Sequence, residues 1–407
     1  MFNSQQGTLT SLDFMASDFK ATHGLAISKQ ALDERFNSRS VMFLKKVLSI
    51  MLTTQYEKVF SQNKSLPFKS CRVRDSTRFK LPEKYENVYR GHGGVPNSNS
   101  VISIQYEFDL LTGKQIDIQL TSARRNDQQD SKESINNISQ GELLIRDLGY
   151  VTTTYLKSVV DKGAYFLNRI PSQISAYDIK TKAEVNFNKV FKKMKRYNLP
   201  YMEMDIELGK KARIPCRMIV FINDHKTYKS RLRRTTKNTK SINCKVSDKQ
   251  KTRLKMDIYI TNASKDIITS DNIKSFYSLR WQIELIFKTW KSLVNINKVK
   301  NVKIERFQSM LLAALIWILA NWKIFNVINT WLINDEKNKT VSIWKFFRFA
   351  TYNKRMLQEI IFRDRSKSIS SYLEMLISIA KERFYRETRK GQEAHIHKII
   401  RLYTPLA

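Results

Sequence analysis

Residues 277–291 read Tyr277-Ser-Leu-Arg280-Trp-Gln-Ile-Glu284-Leu-Ile-Phe-Lys288-Thr-Trp-Lys291, a run without glycine or proline. Its apolar spacing predicts a helix. At about 100° per residue, Tyr277, Arg280, Glu284 and Lys291 fall on one narrow stripe, and Lys288 borders it. A solvated face with an Arg–Glu pair one turn apart would explain this stripe. A site with one carboxylate among phosphate-binding cations would explain it as well, and the helical geometry leaves both interpretations open.

The charge of the whole chain favours a site for an anionic partner. Its 407 residues include 72 Lys and Arg against 37 Asp and Glu, which gives a formal net charge of +35. The hydrophobic content of 42% indicates a globular chain, and an excess of positive charge spread over such a chain points to nucleic acid. Binding to a membrane surface competes, but it usually depends on one basic amphipathic helix or tail. A basic ribosome-associated protein also fits this charge.

Cysteine spacing and hydropathy predict the compartment. The three cysteines, Cys71, Cys216 and Cys244, are far apart and lack Cys-x-x-Cys spacing, which indicates a reducing compartment and no zinc site. The first residues lack the pattern of a signal peptide. The longest apolar run, residues 310–320, is too short to span a bilayer. We therefore expect a cytoplasmic protein that acts on nucleic acid and not in a membrane.

Hydrophobic periodicity divides the chain into five regions. Residues 1–66 are helical and resemble a helix-turn-helix DNA reader, although an ordinary three-helix packing module explains the same pattern. Residues 67–170 alternate between strands and helices, and residues 171–255 form a basic β-rich segment inserted into that core. Residues 256–334 return to the core, and residues 335–407 are helical with no recognisable site. The predicted fold class is α/β.

The predicted insertion carries the most basic stretch of the chain, between residues 226 and 255. It includes Arg231, Arg233 and Arg234, and only Asp224 and Asp248 oppose it. A solvated loop would explain this charge, but its density in a chain already so positive favours contacts with DNA phosphates.

Three acids lie where strands and the quoted helix could bring them together. Asp75 lies in the first predicted strand, Asp147 at the end of a later strand and Glu284 on the helix. Converging carboxylates bind divalent metals, and two metals about 4 Å apart can activate the attacking oxygen and stabilise the leaving oxygen of a phosphodiester. As single residues none is specific, since Asp75 could belong to a turn and Asp147 could simply end a strand.

The spacing Tyr277-x2-Arg280-x3-Glu284-x6-Lys291 resembles the Tyr-Arg-Glu-Lys signature of bacterial insertion-sequence DDE transposases. Residues 74–77, Arg-Asp-Ser-Thr, are similar to the first-acid strand of that family, and residues 146–150, Arg-Asp-Leu-Gly-Tyr, to its second-acid strand. The resemblance covers roughly residues 10–335. It implies a ribonuclease-H-like catalytic core that holds the β-rich insertion and is flanked by helical N- and C-terminal regions.

The resemblance also implies an activity and its cofactor. Two Mg²⁺ ions, replaceable by Mn²⁺, would be held by Asp75, Asp147 and Glu284, and the enzyme would hydrolyse the 3′ ends of the transposon and join them to target DNA. Relatives excise through a DNA hairpin. The partners would be the terminal inverted repeats, the target DNA and a second copy of the chain, in the cytoplasm at the bacterial nucleoid.

The resemblance assigns the cations of the signature to DNA. Tyr277, Arg280 and Lys291 would hold phosphates near the transposon end, and Lys288 is a further candidate contact. The alternative is a catalytically inactive, transposase-derived DNA-binding protein. A ribonuclease-H-like nuclease without transposition would explain the acids but not the accompanying tyrosine, arginine and lysine.

Overall fold

The computed structural model describes residues 10–54, 67–92, 99–240, 244–335, 340–354 and 369–385. Part of the predicted helical region 1–66 and most of the predicted C-terminal region 335–407 lie outside the described residues. In the described parts of that C-terminal region the chain is mainly helical, as expected.

The described chain contains helices and strands in mixed order. The strands are β1 (Ser70–Lys80), β2 (Val101–Asp109), β3 (Gln115–Ser122), β4 (Glu142–Arg146), β5 (Tyr165–Arg169), β6 (Ala176–Asp178), β7 (Met202–Leu208), β8 (Ile214–Ile222) and β9 (Met256–Thr261). The first helices are α1 (Leu12–His23), α2 (Lys29–Glu34), α3 (Ser38–Thr53), α4 (Asp127–Glu133), α5 (Thr153–Asp161), α6 (Phe187–Arg196) and α7 (His225–Lys240). The later helices are α8 (Asp248–Leu254), α9 (Ile273–Ser278), α10 (Trp281–Ser292), α11 (Ile304–Asp335), α12 (Ile343–Tyr352) and α13 (Ile369–Ile379).

The chain folds into two compact units. Of the described residues, those within Met1–Lys64, Ser76–Arg125 and Trp281–Lys398 form the first unit, and those within Ser65–Asp75 and Asn126–Arg280 form the second. The chain passes from one unit to the other within β1 and again between α9 and α10.

The second unit is a mixed sheet with the strand order β1-β4-β5-β9-β8-β7-β6. Strands β1, β4 and β5 are parallel to one another, and the other neighbours are antiparallel. Strand β8, which lies in the predicted insertion, pairs directly with β9. The insertion therefore extends the same sheet as β5 and β9, and it also contains α6, α7 and α8, which the sequence pattern did not predict.

Buried arginines occupy one face of β1 and β4. Arg74 lies opposite Arg146 in the parallel ladder, and both side chains are buried. The Arg74 guanidinium donates to both carboxylate oxygens of Asp130 on α4, at 2.6 and 2.8 Å. Arg146 donates to Ser134 Oγ at 2.9 Å and lies over the Tyr155 ring. Because buried charges need partners, these contacts fix α4 and the following 3₁₀ turn against the strands.

The first unit combines the β2–β3 hairpin, which was predicted, with an aromatic core. Tyr106 on β2 contacts Trp290 on α10 with ring centroids 4.8 Å apart, and Phe108 contacts Trp322 on α11. Trp322 Nε1 donates to the Gly113 carbonyl oxygen in the hairpin turn at 2.9 Å. This packing fixes α10 and α11 against the hairpin. In the N-terminal region Ser28 caps α2, since its Oγ accepts from the Ala31 N–H at 3.1 Å.

Helix α11 is much longer than the apolar run within it. By length and composition alone, Ile304–Leu332 could cross a membrane, so the expectation of a segment too short to span was wrong. The helix continues past this apolar run on both sides, because the polar residues that flank the run are also compatible with a helix. However, 72% of its most apolar window is buried inside the protein, which is the pattern of a core helix.

The ion pair of Arg74 and Asp130 gives a stability prediction. The two side chains are 1% and 0% exposed. Asp130→Ala leaves the arginine charge buried without its carboxylate, so we expect the free energy of unfolding to fall by about 3–5 kcal/mol. The matched control is Asp248→Ala, which breaks the pair of Lys251 with the 93% exposed Asp248 and should change little. Equal, small losses in chemical denaturation would contradict a structural role for Asp130.

Candidate functional site

The parallel register of β1 and β4 places the first two predicted acids side by side. Arg74 on β1 pairs with Arg146, the last residue of β4, and neighbouring strands are about 4.8 Å apart. The next residues, Asp75 on β1 and Asp147 directly after β4, are therefore neighbours. Side chains alternate between the faces of a sheet. Asp75 and Asp147 therefore point away from the face that holds the buried arginines.

Arg280 lies between these two acids. Its Nη1 is 3.2 Å from Asp75 Oδ2, and its Nε is 3.8 Å from Asp147 Oδ1. The Arg280 and Asp75 side chains are 15% and 18% exposed, whereas Asp147 is 48% exposed. The structure thus joins the two acids through a cation that the resemblance had assigned to a DNA phosphate.

The predicted single helix of residues 277–291 is wrong. The chain makes a turn at Leu279 and Arg280, where the Arg280 N–H donates to the Tyr277 carbonyl oxygen in a tighter bond of i→i+3 type. Neither glycine nor proline marks this break. Tyr277 is therefore on α9 and Arg280 in the turn, while Glu284, Lys288 and Lys291 share α10.

Helix α9 is fixed on the sheet of the second unit by aromatic contacts. Phe276 contacts Phe68 with ring centroids 6.1 Å apart, and Tyr277 contacts Tyr259 on β9 at 5.2 Å. The turn that follows α9 consequently has a defined position, which directs Arg280 toward the two acids.

The Tyr277 hydroxyl is buried, and it neither donates nor accepts a hydrogen bond within the described part of the chain. Burial raises the pKa of this phenol, and the negative charge of Asp147 raises it further, whereas Arg280 opposes them. The hydroxyl is therefore protonated at neutral pH. A buried donor without a partner costs free energy, which suits a ligand that accepts a hydrogen bond.

The two signature residues on α10, Glu284 and Lys291, belong to the first unit, as does the further candidate Lys288. Glu284 lies in the first helical turn, where a carboxylate interacts favourably with the helix dipole. Lys291 is half-buried; burial lowers its pKa, and its Nζ donates to the Arg78 carbonyl oxygen at 3.0 Å. Lys288 is exposed and lies over the Trp344 ring at 5.5 Å, beside an apolar cavity of about 340 Å³.

The structure brings together some of the predicted site residues. Asp75, Asp147, Tyr277 and Arg280 are neighbours in the second unit. Among the described residues, no group of three or more His, Cys, Asp or Glu side chains could hold a metal ion. The metal site formed by Asp75, Asp147 and Glu284 therefore stays a prediction.

The pair of acids nevertheless suits a divalent cation. Asp75 and Asp147 offer hard oxygen donors from two adjacent strands. The guanidinium between them indicates that positive charge is stabilised at this position. These residues therefore fit the Mg²⁺ that the resemblance implies.

The predicted DNA-contacting arginines lie on α7 and have different surroundings. Arg231 donates to Asp257 Oδ1 on β9 at 2.8 Å, and Arg169 pairs with the same carboxylate. This contact holds the inner face of α7 to the sheet. Arg233 and Arg234 are exposed.

Two contacts of the predicted site residues escaped the sequence analysis. The link from Arg280 to Asp75 joins residues 205 positions apart, so no local pattern could reveal it. The partner of Arg231, Asp257, lies within a hydrophobic strand. An isolated acid in such a strand is itself a signal that a buried cation is near.

Comparison with known proteins identifies the family. The family described as "Transposase DDE domain" matches residues 66–319, more than half of the chain. The chain therefore belongs to the DDE transposase family.

Its relatives include transposases of bacterial insertion sequences. The chain is 30% identical over 350 residues to the transposase for insertion sequence element IS231F of Bacillus thuringiensis subsp. israelensis, covering 81% of this chain and 72% of that protein. It is 28% identical over 421 residues to the transposase for IS1151 of Clostridium perfringens, covering 99% and 88%. The chain is thus a DNA transposase of the insertion-sequence type, an enzyme that cleaves DNA and transfers strands.

A solved structure of piggyBac transposase in a synaptic complex with hairpin DNA is also similar. The TM-score is 0.43 at 11% identity, covering 98% of this chain and 78% of that chain. This similarity is too low to bear on the fold.

The unpartnered Tyr277 hydroxyl leads to a prediction. Tyr277→Phe should leave the free energy of unfolding unchanged or raise it by up to about 1 kcal/mol, and should weaken binding to a transposon end roughly tenfold if the hydroxyl donates to a phosphate. Tyr106→Phe is the matched control, because that buried hydroxyl in the first-unit core also has no hydrogen-bond partner among the described residues. Thermal melting and fluorescence anisotropy measure the two effects. Equal DNA affinities of both variants would contradict a ligand role for Tyr277.

Proposed function

We propose that this transposase cleaves the 3′ ends of its element by metal-dependent phosphodiester hydrolysis and joins them to target DNA, with Asp75, Asp147 and Glu284 as the catalytic acids. The observation that supports this most strongly is the proximity of Asp75 on β1 to Asp147 at the end of the parallel neighbour β4, with the Arg280 guanidinium between them. Side chains fixed by a strand ladder hold the geometry that catalysis requires.

The core is ribonuclease-H-like in this proposal. Strands β1, β4 and β5 are parallel, and the antiparallel hairpin β2–β3 adjoins β1. The regions would divide the work: residues 67–170 and 256–334 carry the chemistry, residues 171–255 contact DNA, residues 1–66 bind the DNA ends, and residues 335–407 form a helical C-terminal region.

The acids would hold two Mg²⁺ ions, which Mn²⁺ would replace. Asp75 would contribute to both ions, Asp147 to one and Glu284 to the other. When bound, such ions supply Lewis acidity toward the phosphoryl oxygens and lower the pKa of a bound water. The protein itself contributes the orientation of the acids and excludes bulk water from the half-buried Asp75.

The cations and the phenol of the signature would hold the DNA. Protonated Tyr277 can donate to a phosphate oxygen, and Arg280 can offer a forked contact. Lys291 and Lys288 on α10 supply point charges, with Lys288 the more exposed of the two. This arrangement would position the scissile phosphate near Glu284.

A cationic surface on α7 would extend the path of the DNA. The sequence of α7 contains no acid, and Asp224 before it caps the helix, accepting from the Thr227 N–H at 2.7 Å. Exposed cations recur on its outer face every three or four residues: Lys226, Lys229, Arg233 and Lys237. Three of these cations line a shallow groove with His225 and Ser230.

The exposed lysines and arginines of this outer face are suited to contacts with DNA phosphates, because they offer charged hydrogen-bond donors. Contacts of this kind position DNA without reading its sequence. Arg233 and Arg234 would therefore bind phosphates, and Arg231 would take part chiefly by orienting α7 through Asp257.

The partners in this proposal are double-stranded DNA and a second copy of the chain. The DNA is the terminal inverted repeats and the target, and a homodimer would assemble on it. The curated relatives are transposases for bacterial insertion sequences, so the reaction would take place in the bacterial cytoplasm at the nucleoid, and a DNA hairpin is one route of excision that the same acids would serve.

Replacing the third acid tests the catalytic assignment. Glu284→Gln keeps the shape of the side chain and removes its charge, so cleavage of oligonucleotides carrying the terminal repeat should fall by at least about 10²-fold. Binding to the same oligonucleotides should stay within about twofold, because no phosphate contact is lost. Asp266→Asn, at an exposed acid of the second unit, is the control. Equal Mg²⁺-dependent cleavage by Glu284→Gln and wild type would refute the role of Glu284, and no cleavage by wild type would favour an inactive DNA-binding protein.

Neutralising the α7 surface tests the DNA path. The triple variant Lys226→Gln, Lys229→Gln, Arg233→Gln should lower the slope of log affinity against log salt by about 2–3, since each phosphate contact contributes about 0.9. The loss should be the same for terminal-repeat and scrambled duplexes.

A control variant separates this surface from net charge. Lys189, Lys192 and Lys193 are exposed on α6, so changing all three to glutamine removes the same charge elsewhere. If both triple variants lose the same slope in fluorescence anisotropy, α7 is not a distinct DNA surface.

A further inference from the structure

Arg280 contacts two acids, although the resemblance gives it only a contact with DNA. We infer that Arg280 is a positioning residue that holds Asp75 and Asp147 together in the metal-free protein, and that a divalent cation displaces it from them and releases it toward a DNA phosphate. This inference rests on the proposed function, because it takes both acids as metal ligands.

The need for such a residue follows from the strands. The ladder ends with Arg74 opposite Arg146, so Asp75 on β1 and Asp147, which directly follows β4, are held close together. Their carboxylates repel each other, and the backbone cannot separate them. A guanidinium has donors on several nitrogens in one plane and can serve two carboxylates at once. Arg280 donates from Nη1 to Asp75 Oδ2 at 3.2 Å, and its charge also forms an ion pair with Asp147, with Nε 3.8 Å from Oδ1.

The same contacts are loose enough to be exchanged. Arg280 approaches the acids at 3.2 and 3.8 Å, whereas the structural pair of Arg74 with Asp130 has a distance of 2.6 Å. Asp147 is half-exposed, so a cation from solvent can reach it. A divalent ion carries twice the charge of a guanidinium and prefers carboxylate oxygens, so it can replace the arginine.

The surroundings offer Arg280 a second partner. The unpartnered hydroxyl of Tyr277 lies one turn before it on the chain, and both groups bear hydrogen-bond donors. A DNA phosphate would accept from both. Cation binding and DNA binding are then coupled, and each strengthens the other by the same factor.

The test is a Mn²⁺ titration of the full chain without DNA, followed by electron paramagnetic resonance of free Mn²⁺ and by thermal melting. In Arg280→Gln this guanidinium no longer competes for the acids, so the Mn²⁺ concentration at half-saturation should fall roughly fivefold or more. The melting temperature of Arg280→Gln without Mn²⁺ should be lower than that of wild type. Adding Mn²⁺ should raise the melting temperature of the variant by more than that of wild type. Arg280→Lys should shift half-saturation in the same direction by a smaller factor, because lysine is a point charge that serves one acid at a time.

Arg231→Gln is the matched control. It also removes a partly buried arginine from an aspartate in the second unit, so it should lower the melting temperature and leave the Mn²⁺ half-saturation unchanged. Unchanged half-saturation in both Arg280 variants, with weaker DNA binding, would overturn the inference and leave the proposed function intact. A wild-type Mn²⁺ response that Asp75→Asn does not remove would overturn the proposed function and the inference with it.

Discussion

The parallel pairing of β1 with β4 is the constraint on which the candidate site depends. Backbone hydrogen bonds fix Arg74 opposite Arg146, and the alternation of side chains then fixes Asp75 and Asp147 on the other face. Both faces consequently carry like charges that the sheet cannot separate. One face is neutralised by Asp130, and the other by Arg280. Each face of the sheet thus needs a counter-charge. The counter-charge on the arginine face stabilises the fold, and the one on the aspartate face occupies a position suited to cations.

The Arg74–Asp130 pair and the Arg280 contacts neutralise these charges with different strength, and this difference relates the structure to the function. The Arg74–Asp130 pair is buried, close and bidentate, as expected for a permanent structural contact. The Arg280 contacts are longer, and one of the two acids is half-exposed. A site that must accept ions and DNA needs neutralisation that can be exchanged, since a tight buried pair would compete with the ligands. Arg280 is therefore suited both to pairing with the two acids in the metal-free protein and to binding a phosphate in the DNA-bound state.

Much of this arrangement was predictable from local sequence, and the rest depends on contacts distant in the chain. The alternation around Asp75, the hairpin at residues 101–122 and the end of β4 before Asp147 follow from periodicity. Helix α7 was missed because a nearly all-polar helix has no apolar stripe to detect. The turn at Arg280 was missed because no glycine or proline marks it. Since Tyr277 precedes this turn, Arg280 lies in it and Glu284 follows it, the signature spacing reflects chain distance and not one helix face.

A structure of the full chain bound to a pre-cleaved transposon end, determined with Mn²⁺ and anomalous diffraction, tests the central claim most directly. The account predicts anomalous peaks bonded to carboxylate oxygens of Asp75, Asp147 and Glu284, with the Arg280 guanidinium on a DNA phosphate. Peaks bonded to other carboxylates, or Asp75 and Asp147 still joined by Arg280 beside a correctly placed DNA end, would contradict it.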